Sequence, residues 1–364
     1  MKKTLVLTHE YFPFPGGVAR YVYNLFKHLP QDKYLVITDN DQVKTKDNIL
    51  NLQLTSSFLK PTWLMSFFKI QKIIKENKIE QIFTPNILPF GSLSYLMFKL
   101  YKIPYVISLH GLDVNLALKN KSSLTKKILA NAKLIITNSQ NTANLIKDLN
   151  LEKNKIKVLY PSFDLETHIG QDKLLNLEKE LNITDDNLVL LTVGRLNKRK
   201  AHDLVIEAIV ENKDLPLKYL IVGEGEEKEN LITLVKEHGI EDKIIWAGQV
   251  ADSELIYYYK LANIFVTPHR MTNVDVEGFG LVFLEAANCQ LPIIAGNSGG
   301  VKEILTNEEN ALLVEADNLN ELSKAIRLFA SDCELSWKLA QNAYKRSQEF
   351  PSAKEQSKRL EGWL

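Results

Sequence analysis

Twelve residues, Asp275 to Ala286 (DVEGFGLVFLEA), gather groups that could handle a phosphorylated ligand. Glu277 and Glu285 flank a Gly-Phe-Gly turn made by Gly278, Phe279 and Gly280, and an apolar run from Leu281 to Ala287 follows. The run predicts a helix that opens near Gly280. Glycines let a backbone approach a ligand closely. The free N–H groups of such a helix start, here around Leu281 and Val282, face an anion, helped by the positive end of the helix dipole. A diphosphate suits that place. Glu277, in the loop, would reach the group attached to the diphosphate. Glu285, one turn into the helix, could accept two hydroxyl hydrogen bonds, as from a ribose. The alternative is a glycine turn that caps a buried helix, with two solvated glutamates.

Further candidates stand where strands should end. LTVGRLNKRKAHD puts Gly194 and Arg195 after one strand, with Lys200 five residues on. Arginine offers a bidentate fork to phosphate oxygens and lysine a point charge. Two such cations suit a departing diphosphate, whose charge grows as its bond breaks. A solvated basic loop is the alternative, and Lys198 and Arg199 read that way. Gly16 and Gly17, in HEYFPFPGGVARYVYNL, sit where a phosphate-binding turn belongs but lack the full dinucleotide fingerprint, so a structural turn stays open. His110, in ISLHGLD, follows a strand with Gly111 and Asp113 behind it, and is either a cleft residue or a satisfied structural histidine. The turns IVGEGEE (Gly223, Gly225) and WAGQV (Gly248, Val250) could offer backbone groups to a base, and Gly299 and Gly300 in GNSGGVKEI could line the phosphate pocket. Asp39-Asn40-Asp41 formally matches a D-x-D metal motif, but it lies in the polar segment DNDQVKTKD and reads as a chance match. There is no Cys/His metal cluster and no G-x-S-x-G elbow.

The elements that must position these residues alternate in type. Short apolar runs predict strands at Leu5–Thr8, Leu35–Thr38, Gln81–Thr84, Tyr105–Ser108, Leu134–Thr137 and Lys157–Tyr160. A second series runs through Val189–Val193, Tyr219–Val222, Ile244–Trp246, Ile264–Thr267, Pro292–Ala295 and Ala311–Val314. Amphipathic helices such as Val18–Leu29 lie between, and a helical tail begins at Leu319. Strands alternating with helices imply parallel, doubly wound sheets. At 364 residues, two domains are expected, with the boundary in Pro161–Gly170. The chain is therefore α/β, two Rossmann-like domains in tandem, whose ligands belong at the carboxyl ends of the strands.

Hydrophobic residues make up 45% and charged residues 24%, a soluble globular balance. No window is apolar enough for a spanning helix, and MKKTLVLTHEYF reads as a first buried strand rather than a signal peptide. Cys289 and Cys333 lack metal spacing, so reduced thiols packed in a cytoplasmic protein are expected. The net charge of +1 is uneven: residues 1–165 carry 23 Lys and Arg against 11 Asp and Glu, or +12, and the remainder carries −11. A basic half suggests an anionic surface or substrate. Nucleic acid lacks its usual basic-aromatic repeats, so the inner face of an anionic membrane is the better match. Phe58–Lys78, with Trp63, Leu64, Phe67, Phe68, Ile70 and Ile74 among Lys69, Lys72, Lys75 and Lys78, suits an interface. Its packing on the first sheet is the alternative.

Taken in order, the GGV turn, the HG after a strand, VGR…RK, VGEGEE, AGQV, the two glutamates of EGFGLVFLEA and the following SGG resemble the retaining GT-B glycosyltransferases of family 4, or group 1. TNVDVEGFGLVFLEA followed by PIIAGNSGGVKE resembles especially the phosphatidylinositol mannosyltransferase branch. The resemblance implies two domains facing across a cleft: residues 1–165 with 350–364, which bind the acceptor, and 166–349, which bind the nucleotide sugar. It implies that Arg195 and Lys200 hold the donor diphosphate, with Gly16, Gly17, Gly194 and the 278–282 backbone closing on it. Glu285 would hold the ribose, Glu277 the transferred sugar, Val250 the base, and His110 the sugar and acceptor. No metal or other cofactor is implied. The donor is GDP-mannose by branch, with a UDP-sugar as runner-up, and the acceptor a glycan or lipid-linked molecule of polysaccharide, lipopolysaccharide or glycolipid synthesis. A nucleotide-sugar epimerase or a non-catalytic sugar-nucleotide-binding protein are the competing readings. Ala201 stands where the family has glycine, and Pro161-Ser162-Phe163-Asp164 replaces its usual linker, which leaves hinge details open.

Overall fold

Successive residues of a strand point to opposite faces, so a strand covered on both sides needs apolar residues at every position. This is why TLVL, YLVIT and IFVT form fully buried strands. In the computed structural model, which describes residues 1–14, 16–40, 43, 45–56, 60–163, 169–270 and 277–364, the chain divides into two units. One comprises Met1–Ser162 with Pro351–Leu364, and the other Phe163–Phe350.

Among the described residues the first unit holds strands β1 (Thr4–Leu7), β2 (Tyr34–Thr38), β3 (Ile49–Asn51), β4 (Gln81–Thr84), β5 (Tyr105–Leu109), β6 (Leu134–Thr137) and β7 (Ile156–Val158). They are ordered β3-β2-β1-β4-β5-β6-β7 and paired in parallel, with Leu5 opposite Leu35 and Ile82. The second holds β8 (Leu188–Val193), β9 (Leu217–Val222), β10 (Ile244–Gly248), β11 (Ile264–Thr267), β12 (Ile293–Gly296) and β13 (Leu312–Val314), ordered β10-β9-β8-β11-β12-β13. In each sheet the chain starts at the middle, winds outward, returns and winds the other way. The reversal falls between β1 and β4, and again between β8 and β11. At such a switch point the loops leave in opposite directions and open a crevice at the carboxyl ends of the strands.

The two faces of the first sheet build different cores. Leu5, Leu7, Leu35 and Ile37 pack with Phe67, Ile70 and Ile74 on one side. Val6, Val36 and Phe83 pack with Tyr21, Val22 and Phe26 on the other, and Leu360 and Leu364 complete that layer. The last helix, Ala353–Trp363, thus returns to the first unit. It starts with a Ser352/Glu355 capping box, and Ser357 donates to the Asn24 carbonyl at 2.9 Å. Gln81 donates to the terminal Leu364 oxygen at 3.1 Å.

Three sequence expectations need adjustment. Strand β3 went unread because three residues are too few for an alternation signal. The unit boundaries lie at Ser162/Phe163 and Phe350/Pro351 rather than at 165 and 349, and residues 164–168 of the linker lie outside the described residues. Cys333 is exposed, while Cys289 is buried as anticipated. The basic segment forms a helix over Leu64–Glu76, with Phe58 outside the described residues.

Leu360 is fully buried, and Leu-to-Ala changes at such sites cost about 2–5 kcal/mol. Leu360→Ala should therefore lower the urea midpoint of the first unit, read by hydrogen exchange in β1. Unchanged protection would mean that the last helix does not hold that core together.

Candidate active site

Strand β8 ends at the switch point of the second sheet. Gly194 follows with φ +150°, and a Cβ there would stand 3.2 Å from Lys200 Cε. The missing side chain lets Lys200 fold back over the strand end, where it is buried. Asn197 caps the turn, its side chain accepting the Lys200 N–H at 3.2 Å. From the neighbouring strand, β11, the chain leaves through Pro268, His269 and Arg270. Arg270 N–H donates to the Arg199 carbonyl at 2.8 Å, which fastens the two loops together.

One carboxylate oxygen collects the side chains of both loops. Glu277 Oε2 lies 3.1 Å from Lys200 Nζ and 2.8 Å from His269 Nε2, and it pairs with the Arg199 guanidinium. Lys200 Nζ and His269 Nε2 are 3.0 Å apart. Burial alone would push the Glu277 carboxyl up, but the charges of Lys200 and Arg199 and the hydrogen bond from His269 hold it well below the usual range. His269 is fully buried. Burial, with Lys200 beside it, lowers its pKa to about 4, so at neutral pH the ring is uncharged. A carboxylate only accepts, hence Nε2 carries the proton, and Nδ1 is left buried without a partner among the described residues. Arg199 therefore differs from its reading as a solvated loop residue: an ion pair with a residue 78 positions away draws it in.

Beyond Glu277 the turn runs through Gly278 and Phe279 to Gly280. At φ +93°, Gly280 adopts a left-handed conformation in which a Cβ would meet the Phe283 ring at 2.6 Å. The helix Leu281–Asn288 starts there, as the sequence predicts, so the first N–H groups at Leu281 and Val282 have no partner inside the helix. Phe279 is buried against Phe350, ring centroids 5.5 Å apart. Glu285 is buried one turn in, where Tyr259 donates to it at 2.8 Å. Gly300 braces the turn, its N–H donating to the Glu277 carbonyl at 2.9 Å. That makes it a support for the loop. Asp275 and the TNVD that precedes Glu277 lie outside the described residues.

The other predicted residues fall into two groups. Arg195 is exposed past the end of β8, on the same loop as Lys200. Val250 follows β10, two strands along the same sheet edge. Gly16, Gly17 and His110 belong to the first unit. Gly17 opens the helix Gly17–Phe26, and a Cβ on it would meet nothing within 4 Å. Neither backbone nor packing demands glycine there. His110 follows β5; its Nε2 lies 3.2 Å from Ser108 Oγ, and burial lowers its pKa to about 3. Asp113 accepts the His110 backbone N–H at 2.9 Å, and burial raises its carboxyl to about 6.

Sequence comparison now decides the family. The Glycosyltransferase Family 4 model matches residues 15–167, and the Glycosyl transferases group 1 model matches residues 175–346. The chain belongs to the family 4/group 1 glycosyltransferases. An uncharacterized glycosyltransferase of Methanocaldococcus jannaschii is 29% identical over 93% of this chain and 92% of its own length. A GDP-mannose-dependent monoacylated α-(1-6)-phosphatidylinositol monomannoside mannosyltransferase of Corynebacterium glutamicum is 26% identical over 89% and 88%. Among solved structures, Anabaena HepE in complex with UDP and glucose superposes with a TM-score of 0.83 at 19% identity, over 100% of this chain and 99% of that one. This glycosyltransferase has the GT-B fold. His269 and Arg199 are the site residues that the sequence reading passed over. The one available signal for His269 was its place just after a strand at the middle of the sheet.

Glu277 supplies stability that is present above its ordinary pKa of 4.5 and lost as pH falls below it. His269, uncharged in the folded state, starts the acid loss earlier, below its ordinary 6.5. Glu277→Gln should cost about 3–5 kcal/mol at pH 7, because it strands the buried Lys200 and the largely buried Arg199. It should also flatten the decline of stability between pH 5 and 3. Parallel wild-type and variant curves in urea titrations across that range would contradict the electrostatic assignment.

Proposed function

We propose that this glycosyltransferase moves mannose from GDP-mannose to a glycan or lipid-linked acceptor, with retention at the anomeric carbon and without a metal ion. The observation that carries the reading is the cation cluster at the β8/β11 switch point, where Lys200 and Arg199 surround Glu277 beside exposed Arg195 and a helix N-terminus. A nucleoside diphosphate matches it. Arg195 and Lys200 take the diphosphate oxygens together with the Leu281 and Val282 amides, and Glu285 holds the ribose hydroxyls. Val250 offers its backbone to the base, two strand spacings or roughly 10 Å along the sheet. Glu277 accepts from the sugar hydroxyls, and His110, an uncharged ring, contacts the sugar. Open space at Gly17 fits close approach of a ligand.

In the reaction the bond between the anomeric carbon and the diphosphate oxygen breaks with both electrons leaving on the phosphate. Arg195 and Lys200 stabilise the growing charge. The acceptor hydroxyl oxygen bonds to the same face of that carbon, and its proton passes to the departing phosphate oxygen. Exclusion of water protects the donor from hydrolysis. The Corynebacterium relative supports mannose. The UDP and glucose bound to Anabaena HepE favour a second reading, a UDP-hexose donor on the same site.

Calorimetry in EDTA with GDP, UDP and ADP separates the two. Tight GDP binding that Arg195→Ala weakens at least a hundredfold, about 2.7 kcal/mol, is expected. A preference for UDP would move the donor to the second reading, and binding of none would remove the donor site.

For the acceptor side, the helix Leu64–Glu76 exposes Leu64, Met65 and Phe68 beside Lys69, Lys72 and Lys75, in the basic half of the chain. Among the described residues no helix is long and apolar enough to cross a membrane. Contact of this face with an anionic bilayer would bring a lipid-linked acceptor within reach. Each lysine near such a surface contributes about 1 kcal/mol. Changing Lys69, Lys72 and Lys75 to Glu should therefore weaken sedimentation with phosphatidylglycerol vesicles more than tenfold, and unchanged sedimentation would discard membrane contact.

A further inference from the structure

The first sheet has its own switch point, and the pair of side chains there has no part in the donor chemistry. His9 follows β1, and its Nδ1 lies 2.7 Å from Asp39 Oδ1, at the end of β2. Asp39, set aside in the sequence as half of a chance D-x-D, has a partner 30 residues away; Asp41 lies outside the described residues. Phe90, fully buried beyond β4, packs its ring on the imidazole with centroids 4.4 Å apart. The backbone is fixed as well. Thr38 Oγ1 donates to the His9 carbonyl at 3.2 Å. Asn51, on β3, donates to the Asn40 carbonyl at 2.8 Å, so the unread strand braces the loop that carries Asp39.

This arrangement fixes what His9 can offer. A carboxylate accepts only, so Nδ1 carries the hydrogen toward Asp39 and Nε2 presents a lone pair. The His9 side chain is 36% exposed, and Nε2 has no partner among the described residues. Next along the sheet, past the end of β4, the Asn86 side-chain oxygen is buried with no donor among the described residues. The switch point is thus rich in hydrogen-bond acceptors. It suits a neutral ligand that brings O–H donors.

We propose that His9 binds a hydroxyl of the acceptor, that Asp39 positions the ring for it, and that the acceptor's reacting end is a neutral sugar or polyol. This rests on the transferase reading, with the acceptor held by the first unit. His9 Nε2 accepts the hydroxyl hydrogen and orients the acceptor oxygen, while Asp39 fixes the tautomer.

The test uses the full chain with octyl α-D-mannopyranoside and octyl β-D-glucopyranoside as probes, followed by saturation-transfer NMR. Wild type should transfer saturation to at least one glycoside. His9→Phe, which keeps the ring packing on Phe90, should cut that signal at least tenfold while GDP or UDP affinity stays within twofold. His9→Gln, whose amide oxygen reaches the Nε2 position, should recover part of it. Imidazole 15N spectra should show His9 protonated on Nδ1 in wild type and shifted toward Nε2 in Asp39→Leu, which a merely structural aspartate would not cause. Undiminished glycoside contact in His9→Phe, or none in wild type, overturns the proposal. Loss of nucleotide binding in wild type overturns the donor reading instead, because the two signals are recorded separately.

Discussion

Three segments meet on one carboxylate oxygen, and the active end of the second sheet depends on that meeting. The loop after β8 brings Arg199 and Lys200, the loop after β11 brings His269, and Glu277 arrives just before the glycine turn. Each member alone would be costly to bury. Among the described residues, His269 Nδ1 is left without a partner at the centre. The arrangement is also the natural resting form of a diphosphate site. Lys200, the cation of this cluster that the proposed donor diphosphate would meet, is held in place meanwhile by an internal anion, so little reorganisation would be needed when the ligand comes.

The two sheets share one winding scheme and put opposite chemistry at their switch points. The second presents ammonium and guanidinium groups beside a helix start, which suits a leaving group of high negative charge. The first presents lone pairs and a carboxylate, which suits hydroxyls. Same topology, different side chains: the fold supplies two crevices, and the residues just past the strand ends decide what each can take.

Much of this was legible because parallel strands buried on both faces leave unbroken apolar runs, and because glycines mark the turns that follow them. The strands through Leu5, Leu35, Phe265 and Ile293 could be read one by one, as could the helix start after Gly280 and the exposed cation Arg195. Arg199 was hidden because a Lys-Arg-Lys run looks the same whether it is solvated or drawn onto a distant carboxylate. His269 has no local pattern. Its importance comes from β11 lying beside β8, which is a fact of strand order and not of spacing. His9 and Asp39 are 30 residues apart and meet only because β1 and β2 are neighbours in parallel register. Short β3 carried too few residues to announce itself.

The return of Ala353–Trp363 to the first unit bears on the order in which the protein can be made. The ribosome delivers β1 first, yet the layer over Val6, Tyr21 and Phe26 stays incomplete until Leu360 and Leu364 emerge. The second unit, by contrast, is one uninterrupted stretch of chain. During synthesis it can close its core while the first is still waiting for its last layer, reversing the usual amino-terminal-first sequence of multidomain proteins. The nascent first sheet would then spend most of translation with the part of that layer under Leu360 and Leu364 uncovered, a natural point of engagement for a chaperone.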